Sequence, residues 1–404
     1  MSRIDSTIIQ QKTEAYLHEF IGFRHHIHAN PELSFQEKQT SAFIAEKLHS
    51  WGIEFTAGLG ALEAGTHGTG IVAMIYGNNP ESRTIALRAD MDALPIQEKN
   101  DVPFASKNAG VMHACGHDVH STCLLGAAKI LQETRTQWSG QVKLIFQPGE
   151  EKHPGGASLM IRDGVLENPK PDAIFAMHVY PHLPYGCIGY RAGQYMASAD
   201  EIYITVKGKG GHAALPHQTI DPIVIASQLV LNLQQVISRR KNPLLPSVLS
   251  FGKIQGGFAG NVIPDEVKLE GTLRCMDEQW RAEAHQLIKS YTKDLCKALG
   301  GDADIEIPQG YPSLYNDPNV TAQVKQLAEG VAGKEQTREL DLRMAAEDFS
   351  FYSHDVPACF FRIGTSHEGV FTIPVHNAQF NVYDPAIASG VRMFCEIAVF
   401  YDPS

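Results

Sequence analysis

The sequence predicts an α/β protein of two domains, one built on a mostly parallel sheet covered by helices on both faces, the other a smaller ferredoxin-like domain inserted into it. Three observations predict this. Strand-length apolar runs alternate with helical patterns up to about residue 192; the order becomes β-α-β-β-α-β between about 193 and 311; and helix and strand alternate again to the end. The expected boundaries are therefore 1–192 with 312–404 for the larger domain and 193–311 for the insert.

Each element follows from local pattern. Ile9, Tyr16, Leu17, Phe20 and Phe23 recur at helical spacing, and Asn30-Pro31 stops the helix they define. A second helix covers Thr40 to Trp51 and ends near Gly52. β-type runs follow at Gly70 to Tyr76 and Thr84 to Leu87, the latter entering Arg88-Ala89-Asp90-Met91-Asp92 directly. Ser121 to Glu133 reads as a helix, Val142 to Gln147 as a buried strand, Gly155 to Asp163 as a helix and Ala173 to Val179 as a strand. In the insert, strands at Glu201 to Lys207, Val248 to Ile254, Val267 to Arg274 and near Asp304 to Ile307 surround helices at Asp221 to Arg240 and Asp277 to Leu299. A helix near Val320 to Val331, a strand near Cys359 to Gly364 and a helix from Pro385 to Phe400 close the chain.

The chain has 404 residues, 43% hydrophobic and 20% charged, which is ordinary for a globular protein too long for one core. A net charge of -11 with dispersed Lys and Arg argues against nucleic acid as a partner and favours a small molecule or peptide. Seven cysteines, irregularly spaced and odd in number, do not read as a disulfide framework and point to a reducing compartment. Met1 to Gln10 has no apolar core of signal-peptide length, and no run reaches the roughly 18 apolar residues of a membrane span. The expectation is a cytoplasmic protein with no membrane partner.

Met112-His113-Ala114-Cys115-Gly116-His117-Asp118-Val119-His120 gathers four residues of metal-ligand type, Cys115, His117, Asp118 and His120. Further donors fall where strands end: Asp92, the adjacent pair Glu150-Glu151, and His178. In open α/β sheets, ligands collect beyond the strands' carboxyl ends, so these residues can converge there, joined by His376. Cys115, His117, Glu151, His178 and His376 suffice for two ions. Neighbouring Glu150 and Glu151 point apart and need different roles, one coordinating and one moving protons, which suits amide hydrolysis.

These segments carry a resemblance. Arg88 to Pro95, Met112 to His120, Phe146-Gln147-Pro148-Gly149-Glu150-Glu151, His178 and Ala346-Glu347-Asp348-Phe349 resemble the dinuclear-metal amidohydrolases of the aminoacylase and carboxypeptidase superfamily, in the branch of hippurate hydrolases, N-acyl-amino-acid deacetylases and auxin-conjugate hydrolases. The resemblance implies two divalent ions, zinc or manganese, on Cys115, His117, Glu151, His178 and His376, with Glu150 as general base. Cys115 stands where other branches carry a bridging aspartate. Asp92 resembles the aspartate that orients a ligand, and Asp90 is a neighbour and not a ligand. In Gly208 to Pro216 and Gly260 to Pro264 it implies that His212 stabilises the oxyanion and Asn261 holds substrate, with the insert serving as lid and homodimer surface. Arg274 and Arg343 are candidates for a substrate carboxylate, because guanidinium binds one bidentately. Gly149 stands where alanine is commoner, and Ala345-Ala346 where a glycine is usual. The expected reaction is hydrolysis of an N-acyl amino acid to a carboxylic acid and an amino acid. The alternatives are a dipeptidase or carboxypeptidase on the same scaffold, or a metal-binding relative without catalysis. A dinucleotide enzyme is excluded, since no Gly-x-Gly-x-x-Gly joins a strand to a helix.

Overall fold

The computed structural model describes residues 4–403; Met1–Arg3, part of the N-terminal stretch read above, and Ser404 lie outside it. Two compact units form, one from Met1–Gly193, Tyr315–Asp341 and Asp348–Ser404, the other from Gln194–Leu314 with Leu342–Glu347. The chain runs through α1 (Ser6–Ala29), α2 (Lys38–Ser50), β1 (Glu54–Leu59), β2 (Gly70–Tyr76), β3 (Thr84–Asp90), α3 (His117–Glu133), β4 (Gln141–Gln147), α4 (Gly156–Arg162), β5 (Ala173–Pro184) and β6 (Ile188–Tyr190). Next come β7 (Gly193–Met196), β8 (Asp200–Lys207), β9 (Gly211–His212), α5 (Pro222–Gln235), β10 (Ser247–Gln255), β11 (Val262–Ile263), β12 (Glu266–Cys275), α6 (Glu278–Ala298), β13 (Asp302–Glu306) and β14 (Leu314–Asn316). It closes with α7 (Pro318–Ala332), β15 (Thr337–Glu339), α8 (Ser350–Asp355), β16 (Ala358–Ser366) and α9 (Ala386–Phe400).

The first unit holds a sheet ordered β1-β2-β4-β3-β5-β16-β6-β15. Its central run β4-β3-β5-β16 is parallel, while β1–β2, β2–β4 and β16–β6 are antiparallel. Every residue of β3 and β16 is buried, as in strands covered on both faces. The covering helices fall into two groups, α3 with α1, α2, α9 and α7, and α4 with α8. Asp5 caps α1 by accepting from Ile8 N at 2.9 Å. The helix after β3 starts at His117, earlier than the apolar pattern from Ser121 implied. The polar residues His117, Asp118 and His120 look like loop in sequence, yet they form its buried first turn.

The second unit is a four-stranded antiparallel sheet, β10-β12-β8-β13, and its chain order β8-α5-β10-β12-α6-β13 is the ferredoxin-like one. β8 alternates buried and exposed residues. Its inward Ile202, Ile204 and Val206 share a core with Leu229, Leu233, Trp280 and Ile288 of the two helices. Beyond Gln235, α5 continues as a π-helical turn, Val236–Arg240. Ala197 N donates to the carbonyls of Arg343 and Ala345 at 3.0 and 3.1 Å, which ties Leu342–Glu347 to this unit. All seven cysteines are buried thiols. Among the described residues, no helix is long and apolar enough to cross a membrane.

Candidate active site

Parallel β3, β4 and β5 bring their carboxyl ends to one side of the first unit. Past β3 comes Asp92; past β4, the Pro148–Glu151 turn; β5 itself carries His178; and Cys115 and His117 flank Gly116 at the start of α3. Gly116 has φ +89°, and a Cβ there would stand 2.6 Å from a Val179 methyl, so only glycine fits between the two donors. His376 comes from the loop after β16 in the left-handed region at φ +65°, pinned by its N–H to the Ala114 carbonyl at 2.7 Å.

The donor atoms converge. Cys115 Sγ is 3.3 Å from His178 Nε2, His376 Nε2 is 3.2 Å from Glu151 Oε1, and His117 Nε2 is 3.9 Å from Glu151 Oε1 and 4.0 Å from Glu150 Oε2. Cys115–His117–His178, Cys115–Glu151–His376 and His117–Glu150–Glu151 each place their ligand atoms within 4.8 Å of one another. The structure thus brings together all five residues expected as ligands, with Glu150 beside them; Glu150 and Glu151, expected to point apart, instead both reach His117 Nε2, because the turn after β4 is not extended.

This set fits divalent ions. His117 Nε2 is buried without a hydrogen-bond partner, while its Nδ1 lies 3.1 Å from Asp92 Oδ1, the arrangement that aims the other nitrogen at a metal. Burial opposes a charge on His117, but Asp90 and Asp92 outweigh it and push the imidazole up to about 10. Burial, with Glu151 and Glu150 adding to it, holds the Cys115 thiol well above its ordinary range. Both groups are buried and face several carboxylates, surroundings that a divalent cation would complement. His178 is held neutral by burial and the nearby Arg362 charge. Its Nδ1 donates to the Val179 carbonyl at 2.7 Å, leaving Nε2 as the lone-pair side facing Cys115.

Two of the four donors in the opening cluster are used elsewhere. His120 Nδ1 lies 2.6 Å from Asp90 Oδ1 and its Nε2 accepts from Val179 N at 3.0 Å, so neither nitrogen remains for an ion. Asp118 turns toward α1, where its Oδ2 accepts from Arg24 Nε at 3.1 Å and lies 2.8 Å from His28 Nδ1. Asp90 also accepts from Arg88 at 2.6 Å, a brace and not a ligand.

Sequence reading passed over the residues that hold the ligands in place. Ser34 donates to Asp92 Oδ2 at 2.6 Å, and Glu151 N donates to the same oxygen at 3.0 Å. Arg88 bridges Gln147, Asp90 and Asp348. Glu37, fully buried, accepts from Gly149 N at 2.9 Å. Burial, with Asp92 nearby, pushes Glu37 up to about 7. Only their position just past the first helix or in the strand could have hinted at them, because no periodicity marks a buried polar brace.

In the second unit, His212 on β9 pairs with Val262 on β11, and Ala213 N donates to the Asn261 carbonyl at 3.0 Å, so the expected oxyanion and substrate residues are neighbours on an exposed edge. Arg274, half-buried on β12, donates to the Thr272 hydroxyl and to the Leu273 carbonyl. Arg343 sits on the segment bonded to Tyr195 and Ala197.

The profile of Peptidase family M20/M25/M40 matches residues 86–399. The chain is 40% identical over 376 residues to the N-acetyl-L-cysteine deacetylase of Bacillus subtilis (strain 168), covering 91% of this chain and 87% of that one. It is 41% identical over 338 residues to the N-acyl-L-amino acid amidohydrolase of Geobacillus stearothermophilus, covering 81% and 88%. It is 38% identical over 382 residues to thermostable carboxypeptidase 2 of Saccharolobus solfataricus, covering 94% of each. Among solved structures, the YXEP protein of Bacillus subtilis, a dinuclear metal-binding peptidase of the M20 family, superposes with a TM-score of 0.80 at 34% identity over 96% of this chain and 98% of that one.

Proposed function

The chain belongs to peptidase family M20/M25/M40, a hydrolase family, and from that premise we propose that it cleaves the amide bond of N-acyl amino acids, acetyl or benzoyl conjugates among them, with two divalent ions bound. Cys115, His117, Glu151, His178 and His376 would hold the ions, zinc or manganese. When bound, such ions polarise a carbonyl and acidify water. The observation that carries the reading is the pair of adjacent carboxylates aimed into one cluster, Glu151 near His376 and His117, and Glu150 4.0 Å from His117 Nε2.

Glu150 takes the proton of the attacking water and returns it to the departing amine. Asp92 fixes the His117 ring through Nδ1 and the Glu151 backbone through its amide, so a single carboxylate orients two ligands. His212 supplies a donor for the oxyanion, Asn261 contacts substrate, and Arg274 or Arg343 pairs with the substrate carboxylate. The second unit acts as lid and as the surface of a homodimer. Its edge strand β10, which exposes Val248 and Ile254, supports that role because an unpaired edge is a template for pairing. The seven buried thiols support a cytoplasmic setting.

The carboxypeptidase relative at 38% identity favours one second reading, hydrolysis of dipeptides or longer peptides. The test is a panel of N-acetyl, N-benzoyl and indoleacetyl amino acids with dipeptides, run on metal-loaded protein beside Glu150→Gln, with ions per chain counted in both. Turnover of N-acyl substrates that disappears in Glu150→Gln while two ions stay bound is the expected result. Turnover confined to dipeptides would transfer the assignment to the peptidase reading, and metal binding without turnover would overturn both.

A further inference from the structure

We propose that Glu37 is a positioning residue for Glu150, acting through the amide of Gly149. The inference rests on the reading of Glu150 as general base. Glu37 is fully buried at the start of α2 and spends both oxygens locally. Oε1 accepts from Phe35 N at 2.8 Å and from Gly149 N at 2.9 Å, and Oε2 accepts from the Thr69 hydroxyl at 2.6 Å. On the other side of the base, Glu151 N donates to Asp92 Oδ2 at 3.0 Å. Glu150 is therefore strung between two amides, each gripped by a different buried carboxylate.

The turn has need of that grip. Gly149 sits in the left-handed region at φ +61° with the Phe35 ring packed against its Cα, and Phe35 is itself left-handed at φ +65°. Both unusual backbones end on the same Glu37 oxygen. A buried carboxylate is unfavourable unless its acceptors are used, and an apolar side chain would fill the same space without it. What the carboxylate adds is a fixed distance between α2 and the turn that bears the base. A displacement of about 1 Å at a reacting group can cost about 100-fold in rate.

The test compares Glu37→Ala, Glu37→Asp and Glu37→Gln, alone and with Glu150→Gln, measuring kcat, KM, ions per chain and melting temperature on an N-acyl amino acid that the wild type cleaves. Expected is a fall in kcat of about 100-fold for Glu37→Ala, with KM within about threefold and two ions retained. Glu37→Gln should stay within about threefold of wild type, since an amide oxygen still accepts both N–H groups while its NH2 donates to Thr69. Added to Glu150→Gln, Glu37→Ala should cost nothing further, because no base remains to be placed. Should the alanine variant not fold, Glu37→Asp carries the test, its shorter side chain withdrawing the acceptor from Gly149 with the same split between kcat and KM. Wild-type kcat in the folded variants, kcat lost in step with the ions, or a full second loss on top of Glu150→Gln would each overturn the proposal. Wild-type turnover by Glu150→Gln alone would instead remove the base reading, and Glu37's role with it.

Discussion

Replacing Asp200 with Asn should loosen the second unit and leave the first intact. Asp200 is fully buried at the head of β8. Its Oδ2 accepts from Arg281 Nε at 2.7 Å and its Oδ1 from Arg281 Nη2 at 2.6 Å, with Gly310 N at 3.1 Å and His285 Nε2 at 3.0 Å completing the shell. Burial by itself would raise the carboxyl, but the bonds from Arg281 and His285 prevail and hold it at about 2. Against an ordinary value of about 3.8, at about 1.4 kcal/mol per unit, that is roughly 2 to 3 kcal/mol of stability. The folded value lies below the unfolded one, so the contribution is complete above about pH 5 and is lost as the pH falls through 4 toward 2. Asparagine keeps the shape but leaves the buried Arg281 guanidinium with Glu278, 2.9 Å from its Nη1, as its remaining charge partner, and loss of the Asp200 charge costs about 3 kcal/mol at neutral pH. Converted to an opening equilibrium, that is about 150-fold. Hydrogen exchange at pH 7 should therefore speed up by about two orders of magnitude in β8 and β12 and remain unchanged in β3 and β4. Urea titrations at pH 3 should show the gap between wild type and variant narrowing. Equal protection at pH 7, or a gap as wide at pH 3 as at pH 7, would refute the reasoning.

Three further outcomes are expected. Gly116→Ala forces a methyl group against Val179 and strains the φ +89° backbone between Cys115 and His117, so ions per chain should drop below two when counted by atomic emission. His120→Ala strips a partner from Asp90 and from the Val179 amide; at about 2 kcal/mol this should lower the melting temperature by about 5 °C, yet both ions should stay, because His120 offers them nothing. Ile254→Lys on the exposed edge of β10 should turn a dimer into a monomer in sedimentation velocity, and a wild type that sediments as a monomer would remove the proposed interface.

The central strands were legible because strands buried on both faces read as near-continuous apolar runs: Val142 to Gln147, interrupted by Lys143, and Ala173 to Val179, interrupted by His178. The edges were harder. β1, Glu-Phe-Thr-Ala-Gly-Leu, is short and largely exposed, and its antiparallel pairing with β2 leaves no periodic mark. Ligand-type residues showed because chemistry limits them to a few side chains near strand ends. The braces did not, since Ser34, Glu37 and Arg88 earn their places only through partners 58, 112 and 260 positions away. His120 and Asp118 misled for the same reason: residue type proposes a ligand, while the hydrogen bonds on both sides of the ring or carboxylate decide. The segment Leu342–Glu347 joins the second unit through backbone bonds to Ala197, a tie that no local pattern announces.

The place of His376 in the chain also sets a schedule. Four of the five proposed ligands lie between Cys115 and His178, and the fifth follows only after the whole of Gln194–Leu314. At roughly 5–20 residues per second of synthesis, about 10–40 s separate the emergence of His178 from that of His376. Through that interval the nascent chain carries four of the five proposed ligands, Cys115 among them, without the fifth.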